Sequence, residues 1–318
     1  MDSEALVQLA LNTLSCNQKG LAALLGVSPT QISKWKKGEH ISWEMEKKFR
    51  EITSIGNRAP AFVLWAGSVA EAEKWESLIR TIADAAEENS ETGYSTYPLR
   101  DETELLCWET ISTLIDMGVA LPAKLPMQLT VKSHMTEQEH ENFWDLIHEH
   151  PLTNTIYEIY MSLNDVYGFY AAYINDLIYN DQLELAGTPA ENIEPCLLTL
   201  AASKIDINPG FAKNFSTFKH HIESEYEKWL TLVKGAAFRN GIPLKAELMN
   251  MVHRSNDELG HEAEAESLGF NSSRLHPDVY MNELLVGMRV IHQVLPAILK
   301  KLGIENDFKL DTSELRMN

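Results

Sequence analysis

The chain has 318 residues, of which 44% are apolar and 23% are charged, and its formal net charge is −19. This composition is typical of a globular protein with a buried core, and it excludes a disordered, fibrous or collagen-like chain. The uninterrupted apolar runs are shorter than the roughly 18–20 residues of a membrane-spanning helix, so we expect no membrane partner.

The N-terminus and the cysteines indicate a cytoplasmic protein. The first residues carry acids where a secretory signal carries bases. Cys16, Cys107 and Cys196 lie far apart in the chain and form no CxxC pair. Isolated cysteines of this kind are typical of a reducing compartment, where they pack as small core residues.

The charge is divided unevenly along the chain. Residues 1–58 contain eight Lys or Arg and six acids, a net charge of +2, whereas residues 59–318 have a net charge of −21. Proteins that bind nucleic acid need cations to displace the counterions of the phosphates. The total charge therefore does not exclude nucleic-acid binding by the first segment, which is predicted to be a module with its own role.

Three short helices are predicted near the N-terminus. Residues 3–14 have an apolar pattern of helical period, and Ser3 is the expected N-cap. Asn17 is expected to cap the second helix, which ends at Gly26 because glycine accepts a positive φ. Ser28 is expected to cap the third helix, and the proline that follows suits a first helical position.

A fourth helix is predicted to begin at Ser42, after Gly38 has ended the third. Its apolar residues are expected to face the core of the module: Trp43, Met45, Phe49 and Ile52. Its basic residues are expected to face outward: Lys47, Lys48 and Arg50.

Three runs in this module resemble the Cro/lambda-repressor-like, or XRE-type, helix-turn-helix domain of bacterial and phage regulators. The runs are Gln18-Lys19-Gly20-Leu21-Ala22, Leu25-Gly26-Val27-Ser28 and Ile32-Ser33-Lys34-Trp35-Lys36-Lys37-Gly38. The resemblance covers about residues 3–55, roughly a sixth of the chain, and it implies a bundle of four to five helices. Two positions depart from the family pattern: Lys36 stands where an acid is common, and the fourth helix begins with Ile41-Ser42-Trp43 in place of Pro-Ser.

The resemblance implies that the third helix enters the major groove of DNA. Gln31 has the amide geometry to pair with adenine, Lys34 can donate to guanine, and Thr30 offers a hydroxyl and a methyl group to thymine. Contacts to phosphate are expected from Gln18, Lys19, Ser28, Ser33, Lys36, Lys37 and Lys47. The alternative is a small helical unit that uses the same fold to contact a protein.

Residues 59–135 are predicted to be a linker and helical connecting region. Residues 61–65 are interpreted as a short strand or a buried linker, and residues 128–131 as a second short strand. Two helices lie between them, one beginning at Ser68 and one at Asp101, because each of these residues has Glu three positions later.

Residues 136–318 are predicted to be a helical dimerisation or effector domain. Segment 153–180 is apolar on most sides and therefore indicates a central helix. Its six tyrosines either line a ligand pocket or lie at the edges of a wide core or dimer seam, and we favour the second interpretation. The other predicted helices cover about 137–149, 190–203, 210–238, 244–267 and 277–302, the last amphipathic and kinked at Pro296.

Motifs of catalysis and of metal or cofactor binding are missing from the sequence. The eleven histidines include no HExxH pair, and the nearest match, His261-Glu262-Ala263-Glu264-Ala265, lacks the second histidine. No phosphate-binding GxxxxGK[ST] loop, GxGxxG turn or GxSxG elbow occurs. We therefore expect no enzyme, no metal site and no cofactor.

The sequence predicts a mostly α fold, in which a helix-turn-helix bundle precedes a larger, predominantly helical domain with one or two short strands. The expected function is a cytoplasmic, sequence-specific transcriptional regulator that binds double-stranded DNA as a homodimer. A peptide or small-molecule effector is a further expected partner, since pheromone-responsive regulators have a similar head and overall size. The alternative is an interaction protein, such as an antitoxin or a defence-system component, that binds DNA only for autoregulation.

Overall fold

A computed structural model describes residues 2–95, 103–132, 134–193, 197–242, 244–270 and 277–303. These residues form fifteen α-helices, so the mostly α fold class is confirmed. In chain order the helices are α1 (Ser3–Thr13), α2 (Gln18–Leu25), α3 (Pro29–Trp35), α4 (Trp43–Thr53), α5 (Pro60–Ala66), α6 (Val69–Glu88), α7 (Thr103–Asp116), α8 (Glu137–Glu149), α9 (Pro151–Tyr173), α10 (Asn175–Ile178), α11 (Leu197–Ala202), α12 (Phe215–Asn240), α13 (Asn250–His253), α14 (Asn256–Ser267) and α15 (Pro277–Leu302). None of the described helices is long and apolar enough to cross a bilayer.

Neither residues 61–65, for which the sequence left a short strand or a buried linker open, nor residues 128–131, predicted as a second short strand, form a strand. Residues 61–65 lie in α5, which begins with Pro60 at a position that needs no amide hydrogen and ends at Gly67 in the left-handed conformation. Residues 127–129 form a single 3₁₀ turn. In the described part of the chain, strand-like pairing is confined to an isolated antiparallel bridge between Val119 and Ala212. The short apolar run at 61–65 misled the prediction because its length suits a strand or a buried helix equally well.

Several helix boundaries differ from the sequence prediction. Asp2, not Ser3, caps α1: its Oδ1 accepts a hydrogen bond from the amide of Ala5 at 2.9 Å, and Ser3 is buried. The helix predicted over 244–267 is interrupted, since Ser255 caps a new helix and forms a reciprocal capping box with Glu258. Asp101 and Cys196 lie outside the described residues.

Helices α1–α4 form an N-terminal bundle, as the sequence predicts. α1 packs against α2, α3 and α4, and its Leu6, Val7 and Ala10 are completely buried. Trp35 of α3 meets Phe49 of α4 edge-on, with 5.9 Å between the ring centroids. This buried aromatic pair packs α3 against α4 inside the bundle.

α9 is the centre of the larger body, as the sequence predicts. Fifteen of its 23 residues are buried, and it packs against α6, α8, α11 and α14. Two tyrosine hydroxyls find partners inside the core: Tyr160 bonds to Thr110 at 3.0 Å, and Tyr173 donates to the carbonyl of Glu262 at 3.3 Å. These rings therefore pack as core residues, which supports the favoured interpretation of the tyrosines.

The bundle and the body are joined through α5. This helix packs against both α1 and α6, and Trp65 lies 5.4 Å from the ring of Trp75. Beside this contact, Nε of Arg58 donates to Oε2 of Glu76 at 2.7 Å, and a second guanidinium nitrogen lies 3.6 Å from Glu73. The buried side chains of the two parts belong to one continuous core.

Asp165 places a carboxylate at the contact between α9 and α14. Its Oδ2 accepts a hydrogen bond from Nδ2 of Asn256 at 3.1 Å. Burial, reinforced by the charge of Asp257, raises the pKa of Asp165 from its usual 3.8 to about 6. Since the folded state holds this proton more tightly than the unfolded chain, stability falls as the pH rises from about 4 to 6.

Replacing Asp165 with Asn removes this titration while keeping an oxygen for Asn256. We expect Asp165→Asn to raise the free energy of unfolding by about 1–2 kcal/mol at pH 7.5, a value reduced for partial exposure to solvent, and to change it little at pH 4.5. Urea unfolding of the full chain at both pH values measures this difference. Asp181→Asn, on an exposed turn, is the control, and an equal gain at both pH values contradicts the prediction.

Candidate nucleic-acid interface

The turn between α2 and α3 has the geometry that the sequence predicts. Gly26 ends α2 with a φ of +70°, and the amide of Val27 donates to the carbonyl of Ala22 at 2.9 Å. Ser28 then caps α3, since its Oγ accepts a hydrogen bond from the amide of Gln31 at 3.2 Å. The left-handed glycine reverses the chain within a few residues, so α3 crosses α2 directly after the turn.

The inner side of this helix pair is apolar and closed. Leu21 and Ile32 are completely inaccessible to solvent, and they face the common core with Ala22, Leu25 and Trp35. A helix with its apolar side fixed in this way has one orientation about its own axis. The remaining side chains of α3 are therefore held in defined outward directions.

The predicted base-reading residues lie on this outward side. Thr30 and Lys34 are exposed, and Gln31 is half-buried. Nζ of Lys34 lies 3.4 Å from the carboxylate of Glu39, and about half of each side chain remains accessible. An exposed ion pair of this kind contributes little, about 0–1 kcal/mol, so Lys34 can exchange Glu39 for another acceptor.

The predicted phosphate-binding residues are all at least partly accessible to solvent, and they lie on α2, on α4 and on or beside α3. Lys19, Ser28, Lys37 and Lys47 are exposed, whereas Gln18, Ser33 and Lys36 are half-buried. Within the described part of the chain, Lys19, Lys36, Lys37, Lys47 and Lys48 form no ion pair within 4.0 Å. Their charges are therefore available to an anionic partner.

Trp43 points outward, which corrects the prediction that it faces the core. Its side chain is 72% exposed, and Nζ of Lys47 lies 6.0 Å from its ring centroid. The sequence held the signal for this orientation. Met45, Phe49 and Ile52 recur at the spacing of one helix face, whereas Trp43 lies two residues before Met45, on the opposite side of the helix.

Two basic residues of the module serve the fold instead of the outer surface. Nε of Arg50 donates to Glu46 at 2.8 Å, and its Nη1 donates to the carbonyls of Gly56 and Arg58 at 2.9 and 3.0 Å. Arg58 itself is bound to Glu76 of α6. The charge that the module presents to a partner therefore comes from its lysines.

Comparison with known proteins gives no match: no family model, curated protein or solved structure is similar to this chain. A role for this surface can therefore be proposed only from the residues that form it. Among the described residues, no three His, Cys, Asp or Glu side chains are grouped so that they could hold a metal ion.

The left-handed turn can be tested by a matched pair of glycine substitutions. We expect Gly26→Ala to lower the free energy of opening of α2 and α3 by about 1 kcal/mol, because its φ of +70° strains any other residue. Gly20→Ala, inside α2 and with no atom closer than 3.5 Å to the new Cβ, is expected to raise it by up to about 1 kcal/mol.

Hydrogen exchange of the α2 and α3 amides in the full chain measures both changes. An equal effect of the two substitutions contradicts a special role for the turn.

Proposed function

We propose that this chain is a cytoplasmic, sequence-specific transcriptional regulator of the Cro/lambda-repressor-like helix-turn-helix class. The observation that carries the proposal is the outward side of α3, on which Thr30, Gln31 and Lys34 stand on a rigid helix behind a left-handed turn. Side chains of these types can read the edges of bases in the major groove. The lysines around them supply the contacts to phosphate that position such a helix.

The charge distribution of the chain supports the same orientation on DNA. The module has a net charge of +2, whereas residues 59–318 carry −21. The duplex attracts the first and repels the second, so the body is kept away from the phosphates. One module has few cations, so its affinity for DNA is expected to be modest, and because its cations contact phosphates this affinity is expected to fall as the salt concentration rises.

A homodimer would double the contacts of the module to DNA phosphates. We assign the dimer interface to α15. Its described side chains from residue 287 onward are exposed or half-buried, including an apolar side on which Met288, Ile291, Ile298 and Leu302 are each about half or more exposed. Residues 287–303 contain three Lys or Arg and no acid. Because the body is strongly acidic, we propose that this helix docks on the body of a second copy, with its apolar side buried and its bases facing acids.

Selection of bound duplexes from a random DNA library tests the sequence-specific function. The full-length protein is expected to enrich a palindromic site whose half-sites are about one helical turn apart. Gln31→Ala/Lys34→Ala is expected to lose the sequence preference, because each base contact contributes about 1–3 kcal/mol of discrimination. The selection is read by sequencing the bound fraction at low salt.

Two further variants make this result specific. Lys36→Ala/Lys37→Ala is expected to weaken binding equally for all sequences and to lower the salt dependence, as loss of phosphate contacts does. Gln182→Ala/Lys228→Ala, on exposed positions of the body, is expected to change nothing. If the wild-type protein enriches no sequence, the regulator proposal is wrong. Co-elution with a protein encoded nearby would then favour the interaction-protein alternative.

The dimer is tested separately by light scattering. The wild-type protein is expected to have twice the mass of one chain, and Ile291→Glu/Ile298→Glu is expected to convert it to monomers because it places charges in the apolar contact. His292→Glu/Gln293→Glu adds acids on the polar side of the same helix and is expected to weaken the dimer much less. A wild-type monomer that still selects a DNA sequence contradicts the dimer while leaving the DNA-binding proposal intact.

A further inference from the structure

A cavity of about 730 Å³ lies between α7, α11 and α12. α7 and α12 line it with the same spacing, i, i+1, i+4, i+5 and i+8, beginning at Trp108 on α7 and at Thr217 on α12. This is the spacing of a single helix face, so one face of each helix borders the cavity. The volume is within the range of about 300–1,000 Å³ that is typical of small-molecule sites.

The two helices are tied together at one end of the cavity. The amide of Asn214, which precedes α12, donates to the carbonyl of Met117, which follows α7, at 2.9 Å. Beyond this bond, Val119 pairs with Ala212 in the isolated bridge. The backbone thus ties the two helices together at this end of the cavity.

The lining combines acids with an apolar floor. Glu109 and Asp116 come from α7 and Glu225 from α12, and the one base among the described lining residues is His221, whose Nε2 lies 3.3 Å from Oε1 of Glu225. Phe218 and Ile222 are buried beneath them, and Trp108 is half-buried at the side. A ligand that fits this lining is positively charged and has apolar parts.

The acids are spread along the cavity. Glu109 and Asp116 are seven residues apart on one helix, a separation of about 10.5 Å along its axis. In the described residues these carboxylates do not form a group that could hold a single metal ion. Their spacing suits a cation whose charges are distributed along a chain.

We propose that this cavity binds an organic cation of the polyamine class, a flexible chain with two or more ammonium groups about 10 Å apart. Ammonium groups pair with the carboxylates of Glu109, Asp116 and Glu225, while the methylene segments lie on the apolar floor. The indole of Trp108 adds an attraction between its ring and a nearby cation. Binding of a cation in this cavity does not require that the N-terminal module bind DNA.

Titration calorimetry of the full chain with spermidine at physiological salt tests the proposal. One saturable site is expected for the wild-type protein. Glu109→Gln/Asp116→Asn/Glu225→Gln is expected to bind spermidine at least tenfold more weakly. Because an acidic protein attracts any polyamine, the matched control is Glu141→Gln/Asp181→Asn/Glu227→Gln, which removes the same number of charges from exposed positions of the body. The control is expected to remain within twofold of the wild type.

A second variant keeps the test decisive if the triple cavity variant does not fold. Ser112→Lys places a tethered ammonium group in the cavity from α7 and is expected to exclude spermidine, provided that circular dichroism shows the helical fold is retained. Equal loss of binding in the cavity variant and its control, or the absence of a saturable site in the wild type, overturns the proposal. So does undiminished binding by folded Ser112→Lys.

Discussion

The burial of α9 on almost every side is the constraint on which the body of the molecule depends. A helix without a polar face cannot lie at the surface, so its neighbours must surround it. α6, α8, α11 and α14 each bury one face against it. At Gly168 the approach is so close that Thr92 occupies the space a Cβ would need. A polar side chain of this helix finds its partner on a neighbouring helix: the hydroxyl of Ser162 donates to the carbonyl of Ala201 on α11 at 3.0 Å.

The attachment of the N-terminal bundle follows from the same need to bury apolar surface. α5 has Phe62, Val63 and Ala66 on its inner side, and it contacts both α1 and α6. The ion pair of Arg58 with Glu76 is largely shielded from solvent beside this contact, and it links the end of the N-terminal module to α6. As a result, the outward side of α3 and the acidic body have a defined relation. A cavity on α7 and α12 belongs to the same continuous framework.

Local chemistry explains why much of the N-terminal bundle could be predicted. Asn17 and Ser28 cap helices because their side-chain oxygens accept hydrogen bonds from amides that the helix leaves free. Gly26 adopts a positive φ that other residues resist. These effects act within a few residues of sequence, so they can be recognised without knowledge of the fold. The outward placement of Thr30, Gln31 and Lys34 follows from them, together with the apolar period of α3.

The sequence by itself determined the mostly α class, the central helix and the caps of α2 and α3, because each depends on neighbours along the chain or on a regular apolar period. The tertiary structure alone decided that residues 61–65 form a helix, since a short apolar run fits either structure until its packing partners are known. It also decided which cations remain accessible, because Arg58 is bound by an acid 18 residues away. Likewise, Glu109 and Glu225 line one cavity only because helices distant in sequence pack side by side.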